Sequence, residues 1–202
     1  MEAYQTWVGG VADVATIISF VVSLSMSWRM WKDQNSSDVA FLPIATVAVC
    51  LQAWILYGSA TCDSHVMWVN SLGFVLMVFN AAVHCTFSTR TWPGFALAVV
   101  LMAFRTGSLP LPAQWLGRIA FVCAACCNAS PVCRIKDMKP LPEVAAMTMI
   151  TCGLWTAYGA LLWNWPLMAS NGIGASVALV ELVAVLWMRF ARTADKPCDT
   201  ST

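Results

Sequence analysis

Two segments of the chain carry the same aromatic and amide residues at the same spacing. The first segment contains Trp54, Tyr57, Gly58, Asn70 and Gly73. An indole face beside a neutral amide suits a neutral ligand with apolar CH faces and hydroxyl groups, such as a sugar ring. An anion would need Arg or Lys at the same depth, and a cation would need Asp or Glu. Each residue type recurs 101 positions later, at Trp155, Tyr158, Gly159, Asn171 and Gly174.

Both residue types also have a purely structural explanation. Within a membrane, an Asn often bonds a neighbouring helix, which contributes about 0.6 kcal/mol, and Trp gathers in interfacial belts. Belts need no fixed register with an Asn, so duplication at one offset favours a binding role. The repeated glycines are interpreted as points of close helix contact. The tryptophans interpreted as belt residues lie near the ends of apolar segments: Trp7, Trp28, Trp31, Trp68, Trp92, Trp115, Trp163, Trp165 and Trp187.

The composition places these segments in a bilayer. Apolar residues make up 59% of the 202-residue chain and charged residues 10%, whereas a soluble domain has about 45–50% and about 25%. Eleven basic and ten acidic side chains cannot form the polar shell of a soluble protein of this length. A soluble enzyme, a nucleic-acid binder and a disordered tail protein are therefore excluded. The net charge of +1 produces no global steering field.

Seven apolar segments are predicted to be membrane helices. Six of them contain about 20 residues, enough to cross about 30 Å of hydrocarbon. The fourth is shorter and is counted as a crossing because an even number would contradict the charge distribution described next. The segments are approximately Val8–Trp28, Val39–Ala60, Val66–Phe87, Gly94–Phe104, Ala113–Cys133, Val144–Trp163 and Leu167–Met188.

Basic residues set the predicted orientation. With the N-terminus outside, nine Lys and Arg residues fall on the inner side and two, Arg105 and Arg118, fall on the outer side. This bias follows the positive-inside rule. We therefore expect a multi-pass protein with an outside or lumenal N-terminus and a cytosolic C-terminus. Because the first ten residues contain no Lys or Arg, no signal peptide is predicted. The plasma membrane is favoured over the Golgi or another endomembrane.

The repeat predicts an all-α integral membrane fold with seven transmembrane helices in a 3+1+3 arrangement. A single linker helix makes two three-helix copies parallel, about a pseudo-two-fold axis along the membrane normal. The predicted units are residues 1–88 for the first repeat, 89–110 for the linker helix, 111–190 for the second repeat and 191–202 for a cytosolic tail. A substrate site is expected between the copies, near the middle of the membrane.

Prolines and the repeated tyrosines are candidates for hinges and gates. Pro43, Pro131 and Pro142 start or interrupt predicted helices, and a proline removes a backbone hydrogen bond and can kink a span. Pro131 fits a static kink as well as it fits a hinge. Tyr57 and Tyr158 are assigned a gating role.

The nine cysteines predict neither a disulfide framework nor a metal site. Most lie inside apolar runs, where a thiol packs as a small hydrophobe. The run from Cys123 to Cys127 lacks the second ligand pair of a zinc site. The sequence also has no glycine-rich phosphate loop. We therefore expect no metal, no cofactor, no nucleic-acid partner and no enzymatic activity.

With these motifs the chain resembles the SWEET family, the eukaryotic seven-helix members of the MtN3/saliva group. The resemblance extends from about Asp13 to Phe190. It rests on the two Trp-x-x-Tyr-Gly segments, each followed by Asn-x-x-Gly, on the loop from Arg29 to Lys32, and on Ser130-Pro131. It implies a bidirectional uniporter that moves mono- or disaccharides by facilitated diffusion and alternating access. Assembly into homo-oligomers is a further implication.

The resemblance also implies the residues of the site. In that family the positions of Trp54, Trp155, Asn70 and Asn171 surround the sugar. The residue types at two of the neighbouring pocket positions leave the choice between mono- and disaccharides open. The pocket positions implied beside the sugar are Ser19, Cys50, Cys127 and Thr151.

Three residues depart from the family pattern. Ser23 stands where plant members have a proline, Asp13 where an asparagine is usual, and Glu181 where a glutamine is expected. A carboxylate inside a span costs about 2.5–3.5 kcal/mol, so Glu181 should be protonated or paired. It therefore raises the alternative of proton-coupled transport on the same fold.

Other classes of function are weaker alternatives. The predicted topology also fits a seven-helix receptor, although the short loops and the repeat register argue against one. An intramembrane enzyme would need Asp13 and Glu181 together, and we expect them near opposite ends of the bundle. His65, expected in an outer loop, and His84, at an inner helix end, do not complete a catalytic set. A transporter of amino acids or other small solutes would also fit the fold, but no Pro-Gln pair supports it.

Overall fold

Seven α-helices make up the described chain. The computed structural model describes residues 2–108, 110–129 and 142–194, so the predicted hinge residue Pro131 lies outside the described residues. The all-α fold class and the number of helices are as predicted. The helices are α1 (Glu2–Asp33), α2 (Phe41–Thr61), α3 (Ser64–Thr86), α4 (Trp92–Ser108), α5 (Ala113–Ala129), α6 (Pro142–Leu161) and α7 (Trp165–Ala194).

Five of these helices, α1, α2, α3, α6 and α7, are long and apolar enough to cross a membrane. The helices α4 and α5 have 17 described residues each. Several helices continue past the predicted segments: α1 begins at Glu2 rather than Val8, and α7 continues to Ala194, into the segment expected to be a tail. Charged and polar residues mark where a helix leaves the hydrocarbon, but they do not end the helix.

The helices of each repeat pack in corresponding ways. In the first repeat α3 packs against α1 and α2, and in the second α7 packs against α5 and α6. Between the repeats, α1 packs on α6 and α2 packs on α5. The linker helix α4 lies beside α2 and α3, where Gln52 Nε2 donates to the Leu101 carbonyl at 3.1 Å. This packing supports the proposed division into two three-helix units and a linker.

The turns between α2 and α3 and between α6 and α7 have the same construction. Just after the first helix of each hairpin, Cys62 and Trp163 have φ values of 55° and 53°. In this left-handed conformation the next N–H bonds back to a glycine: Asp63 N–H to the Gly58 carbonyl at 2.9 Å, and Asn164 N–H to that of Gly159 at 2.8 Å. We call the end of the bundle that contains both turns the turn end.

Glycine is required where the helices of each hairpin meet. A Cβ added at Gly58 would lie 2.8 Å from the backbone nitrogen of Met67, and one at Gly159 would lie 2.7 Å from that of Met168. These contacts are with backbone atoms, which cannot move aside. The close helix contact expected of these two glycines is therefore confirmed.

The two described candidate hinge prolines lie in first turns of helices. Pro142 is the first residue of α6, and Pro43 is the third residue of α2. At these positions the missing N–H leaves no helical hydrogen bond unmade. Neither residue interrupts the interior of its helix, so a hinge at either one would act at the helix end.

Replacing Gly159 by Ala is expected to lower the thermal stability of the purified protein, because the methyl group overpacks the α6–α7 contact at a cost of about 1–3 kcal/mol. Gly153 on the same helix is a matched control, because no atom lies within 4 Å of a Cβ added there. Melting in detergent, followed by fluorescence, measures both variants. Equal melting temperatures for Gly159→Ala and Gly153→Ala would contradict the proposed backbone contact.

Candidate functional site

A cavity of about 240 Å³ lies between the two repeats. It is bounded by all helices except α4. Seven of the eight residues predicted to surround a ligand line it, and the eighth, Ser19, lies behind the lining residue Thr151, with the two hydroxyl oxygens 3.4 Å apart. The lining residues are Thr16, Phe20, Val47, Cys50, Leu51, Trp54, Val69, Asn70, Ala124, Cys127, Asn128, Thr151, Trp155, Leu167 and Asn171.

The two repeated asparagines have the same hydrogen bonds. Asn70 Nδ2 donates to the Val66 carbonyl at 2.7 Å, and Asn171 Nδ2 donates to the Leu167 carbonyl at 2.9 Å. Each bond returns to the residue four positions earlier on the same helix. It fixes the orientation of the amide and leaves the side-chain oxygen and one N–H of each group available to the cavity.

The two repeated tryptophans line the cavity and pack against the tyrosines that follow them. The Trp54 and Tyr57 ring centroids are 5.7 Å apart, and those of Trp155 and Tyr158 are 5.6 Å apart, both edge-on. Trp155 Nε1 also donates to Thr16 Oγ1 at 2.8 Å, a bond that joins α6 to α1 across the repeats. This bond satisfies the indole N–H and leaves the apolar ring for a ligand.

The thiol and hydroxyl positions of the cavity also join the repeats. Cys127 Sγ on α5 donates to the Thr46 carbonyl on α2 at 3.6 Å. Thr151 on α6 lies beside Ser19 on α1, whose hydroxyl donates to the Ala15 carbonyl at 3.1 Å. The buried thiol of Cys50 completes this level of the cavity. Within the described residues, the lining contains no charged side chain.

Sequence reasoning missed Thr16, Phe20 and Asn128. These residues lie on α1 and α5, which follow a second offset of 108 residues rather than 101. Phe20 packs against Gly73, and Asn128 packs against Gly174 in the corresponding place, where a Cβ would lie 2.8 Å from its Nδ2. One signal could have revealed the second offset. Ser23 stands at a position where a proline is expected, and it lies 108 positions before Pro131, the proline expected in the first helix of the second repeat.

A larger groove of about 880 Å³ lies between α2, α4 and α5. Its lining is almost entirely apolar, with residues such as Phe41, Leu97 and Val122, and it contains neither of the repeated Trp–Asn sets. A surface of this kind is expected on a helix bundle that faces lipid tails. The smaller cavity therefore carries the candidate site.

Two hydrogen bonds join the repeats at the turn end. Tyr57 Oη donates to Asn164 Oδ1 at 2.8 Å, and Tyr158 Oη donates to Asp63 Oδ1 at 3.2 Å. Each tyrosine belongs to one repeat and each acceptor to the other. The two bonds, which we call the Tyr–Asx closures, lie beyond the tryptophans and close the described bundle at this end.

The intramembrane carboxyl groups have different surroundings. Asp13 on α1 pairs with His65, Oδ2 to Nδ1 at 2.6 Å. His65 was expected in a loop, and this expectation is wrong, because His65 is the second residue of α3. The helix begins before His65 because Asp63 caps it, accepting from Val66 N–H at 3.1 Å. Glu181 is half-buried on α7 and lies outside the cavity lining. Its counterpart in the first repeat, Asn80, is fully buried.

The fold and cavity define a seven-helix membrane protein with an uncharged site between two repeats. A solved structure titled "The 3.7 A resolution structure of a eukaryotic SWEET transporter" has the same fold, with a TM-score of 0.83 at 17% identity, covering 92% of this chain and 97% of that chain. A family model described as "Sugar efflux transporter for intercellular exchange" matches residues 6–91.

Relatives of similar length cover most of the chain. "Sugar transporter SWEET1" of Danio rerio is 24% identical over 86% of this chain and 87% of its own length. "Bidirectional sugar transporter SWEET8" of Arabidopsis thaliana is 24% identical over 92% of this chain and 88% of its own length. The chain is thus similar to SWEET (MtN3/saliva) transporters in fold and over most of its length.

Substituting Leu for an Asn is expected to have different effects at the cavity and in the packed core. Asn80 accepts from Ser27 Oγ and is fully buried. Asn80→Leu should therefore lower the free energy of unfolding by about 1–3 kcal/mol, because it leaves that hydroxyl without its partner. Asn70→Leu should lower it by less, since the amide faces the cavity. Thermal melting of both purified variants measures the difference. A larger loss at Asn70 would mean that its amide supports packing and not a ligand.

Proposed function

We propose that the chain is a sugar transporter that moves neutral mono- or disaccharides through the membrane as a uniporter. The observation that carries this proposal is the uncharged cavity between the repeats, in which paired Asn amides and paired indole faces meet. The relatives' names support the same substrate class. A sugar ring offers hydroxyl groups to the amides and CH faces to the indoles.

Alternating access is supported by the pairs of helices that make contact between the repeats. The faces between the repeats are α1 on α6 and α2 on α5, so rocking of one repeat against the other would open the cavity at one end and close it at the other. The described structure is closed at the turn end by the two Tyr–Asx closures. In the proposed orientation this end is the outside or lumenal side, in accord with the distribution of Lys and Arg.

Transport by this route would need no coupling ion, because the cavity itself offers no titratable carboxyl group among the described residues. The second candidate function, proton-coupled transport, would use Glu181. That residue lies on α7 ten positions beyond Asn171 and does not line the cavity. The geometry therefore favours facilitated diffusion.

Uptake of labelled glucose and of labelled sucrose into cells that lack their own transporters tests the proposal. Asn70→Ala combined with Asn171→Ala is expected to reduce uptake at least about tenfold, since each change removes hydrogen bonds worth about 1 kcal/mol. Surface expression of each variant is matched before rates are compared. A proton uncoupler should leave wild-type uptake unchanged.

The matched control combines Ser71→Ala with Ser176→Ala. These residues lie on the same two helices, bond to the backbone of their own helices at 2.7 Å and 2.8 Å, and do not line the cavity. Sugar uptake by this double variant should equal that of the wild type. Absence of sugar uptake in well-expressed wild-type protein would overturn the proposed substrate, and uncoupler-sensitive uptake would favour the role of Glu181.

A further inference from the structure

The two Tyr–Asx closures have corresponding supports on the neighbouring helices. Gly9 of α1 lies against Tyr158: a Cβ at Gly9 would be 2.9 Å from its Cε2. Gly117 of α5 lies against Tyr57 in the same way, also at 2.9 Å from Cε2. These glycines are 108 residues apart, which is the offset that relates α1 to α5 in the cavity. Each position around Tyr158 therefore has a corresponding position around Tyr57.

One His–Asp pair on the Tyr158 side has no counterpart among the described residues on the Tyr57 side. On the Tyr158 side, His65 pairs with Asp13 at 2.6 Å. On the Tyr57 side the corresponding positions are Pro166 and Phe121. Pro166 occupies the place of the imidazole, 3.0 Å from a Cβ added at Gly117, and Phe121 packs on the neighbouring Trp165 with ring centroids 5.7 Å apart. One closure is thus supported by titratable groups and the other by apolar groups.

The imidazole of His65 lies between two elements that separate if the closure opens. Its ring centroid is 5.6 Å from that of Tyr158 on α6, at an angle of 75°. Its Nδ1 is bonded to Asp13 on α1. The position of the Tyr158 ring, and so of its bond to Asp63, depends on where this imidazole is held.

The charges around this imidazole do not balance. The described titratable groups that face it are Asp13 from α1, Asp63 from the turn before α3, and Tyr158 from α6. Asp13 Oδ1 and Asp63 Oδ2 are buried atoms without a hydrogen-bond partner among the described residues. A protonated imidazole offsets one of the two negative charges that these carboxyl groups carry when both are ionised, whereas a neutral imidazole offsets neither.

We propose that the His65–Asp13 pair is a proton-sensitive positioning element for the closure between Tyr158 and Asp63. An imidazole ordinarily changes its charge between pH 5 and pH 8. Its protonation stabilises the closed arrangement, and its deprotonation loosens it. Acid at the turn end therefore slows the opening of the cavity there, and alkali speeds it. The effect on transport rests on the proposed function, whereas the effect on the closure does not.

Hydrogen exchange of the turn end, measured by mass spectrometry without sugar, tests the pair directly. The protein is placed in lipid nanodiscs at pH 6.0 and at pH 7.5, and rates are corrected for the intrinsic effect of pH on exchange. The segments 57–66 and 158–167 of the wild type are expected to exchange about two- to fivefold faster at the higher pH, the range that a partly exposed charge pair supplies.

The variants separate a proton-sensitive role from a purely structural one. His65→Gln keeps an N–H donor for Asp13, but the glutamine side chain cannot change its charge. The corrected exchange rates of this variant should therefore be equal at the two pH values. Asp13→Asn should reduce the pH ratio and decides the outcome if His65→Gln fails to fold. Tyr57→Phe, on the apolar side, should raise exchange at both pH values and keep the ratio.

Two results would overturn the inference: equal corrected exchange at the two pH values in the wild type, or an unchanged ratio in His65→Gln. Uptake of labelled glucose at the same two external pH values provides the functional measurement. A pH-dependent exchange ratio in a protein that moves no sugar would refute the proposed function and leave the positioning role of His65 intact.

Discussion

The close approach of backbones at Gly58 and Gly159 is the constraint on which the rest of the site depends. Each contact brings two helices of one repeat together at the turn end and leaves no room for a side chain. Because the two hairpins share this geometry, Trp54 and Asn70 meet at one level in the first repeat, and Trp155 and Asn171 meet at the corresponding level in the second. Two matching halves of the cavity lining follow from two small residues.

The same turns also supply the acceptors that close the bundle. Asp63 and Asn164 follow the left-handed residues of the turns after α2 and α6. Each caps the next helix, accepting from Val66 N–H at 3.1 Å or Leu167 N–H at 3.3 Å. Each also accepts a tyrosine hydroxyl from the opposite repeat. A side chain that orients a helix start thus joins the two repeats, so hairpin geometry and closure are coupled.

Much of the site could be predicted from the sequence because the second and third helices of each repeat share one offset. A single offset of 101 residues aligns the Trp, Tyr, Gly and Asn positions, and in the structure Trp54, Asn70, Trp155 and Asn171 line one cavity. The first helices follow a different offset, because the sequence has 34 positions from Phe20 to Trp54 in the first repeat but 27 from Asn128 to Trp155 in the second. Thr16 and Asn128 were therefore missed, although both face the cavity.

The partner of Asp13 could not be predicted for a related reason. A side-chain contact between α1 and α3 depends on the order of helices within the bundle, and hydrophobic segments alone do not specify which helices are neighbours. The helix boundary added to the difficulty: His65 precedes the apolar segment that begins at Val66, yet the Asp63 cap extends α3 to include it. Polar residues beside an apolar segment can thus belong to the helix and carry its chemistry.

The cavity between the repeats is proposed to bind a neutral sugar. Direct binding of labelled glucose and labelled sucrose to the purified protein, with competition by unlabelled sugars and by a zwitterionic amino acid, tests it most directly. We expect saturable binding of at least one sugar that unlabelled sugar displaces and the amino acid does not. Displacement by the amino acid, or no saturable binding of either sugar to folded protein, would contradict the account.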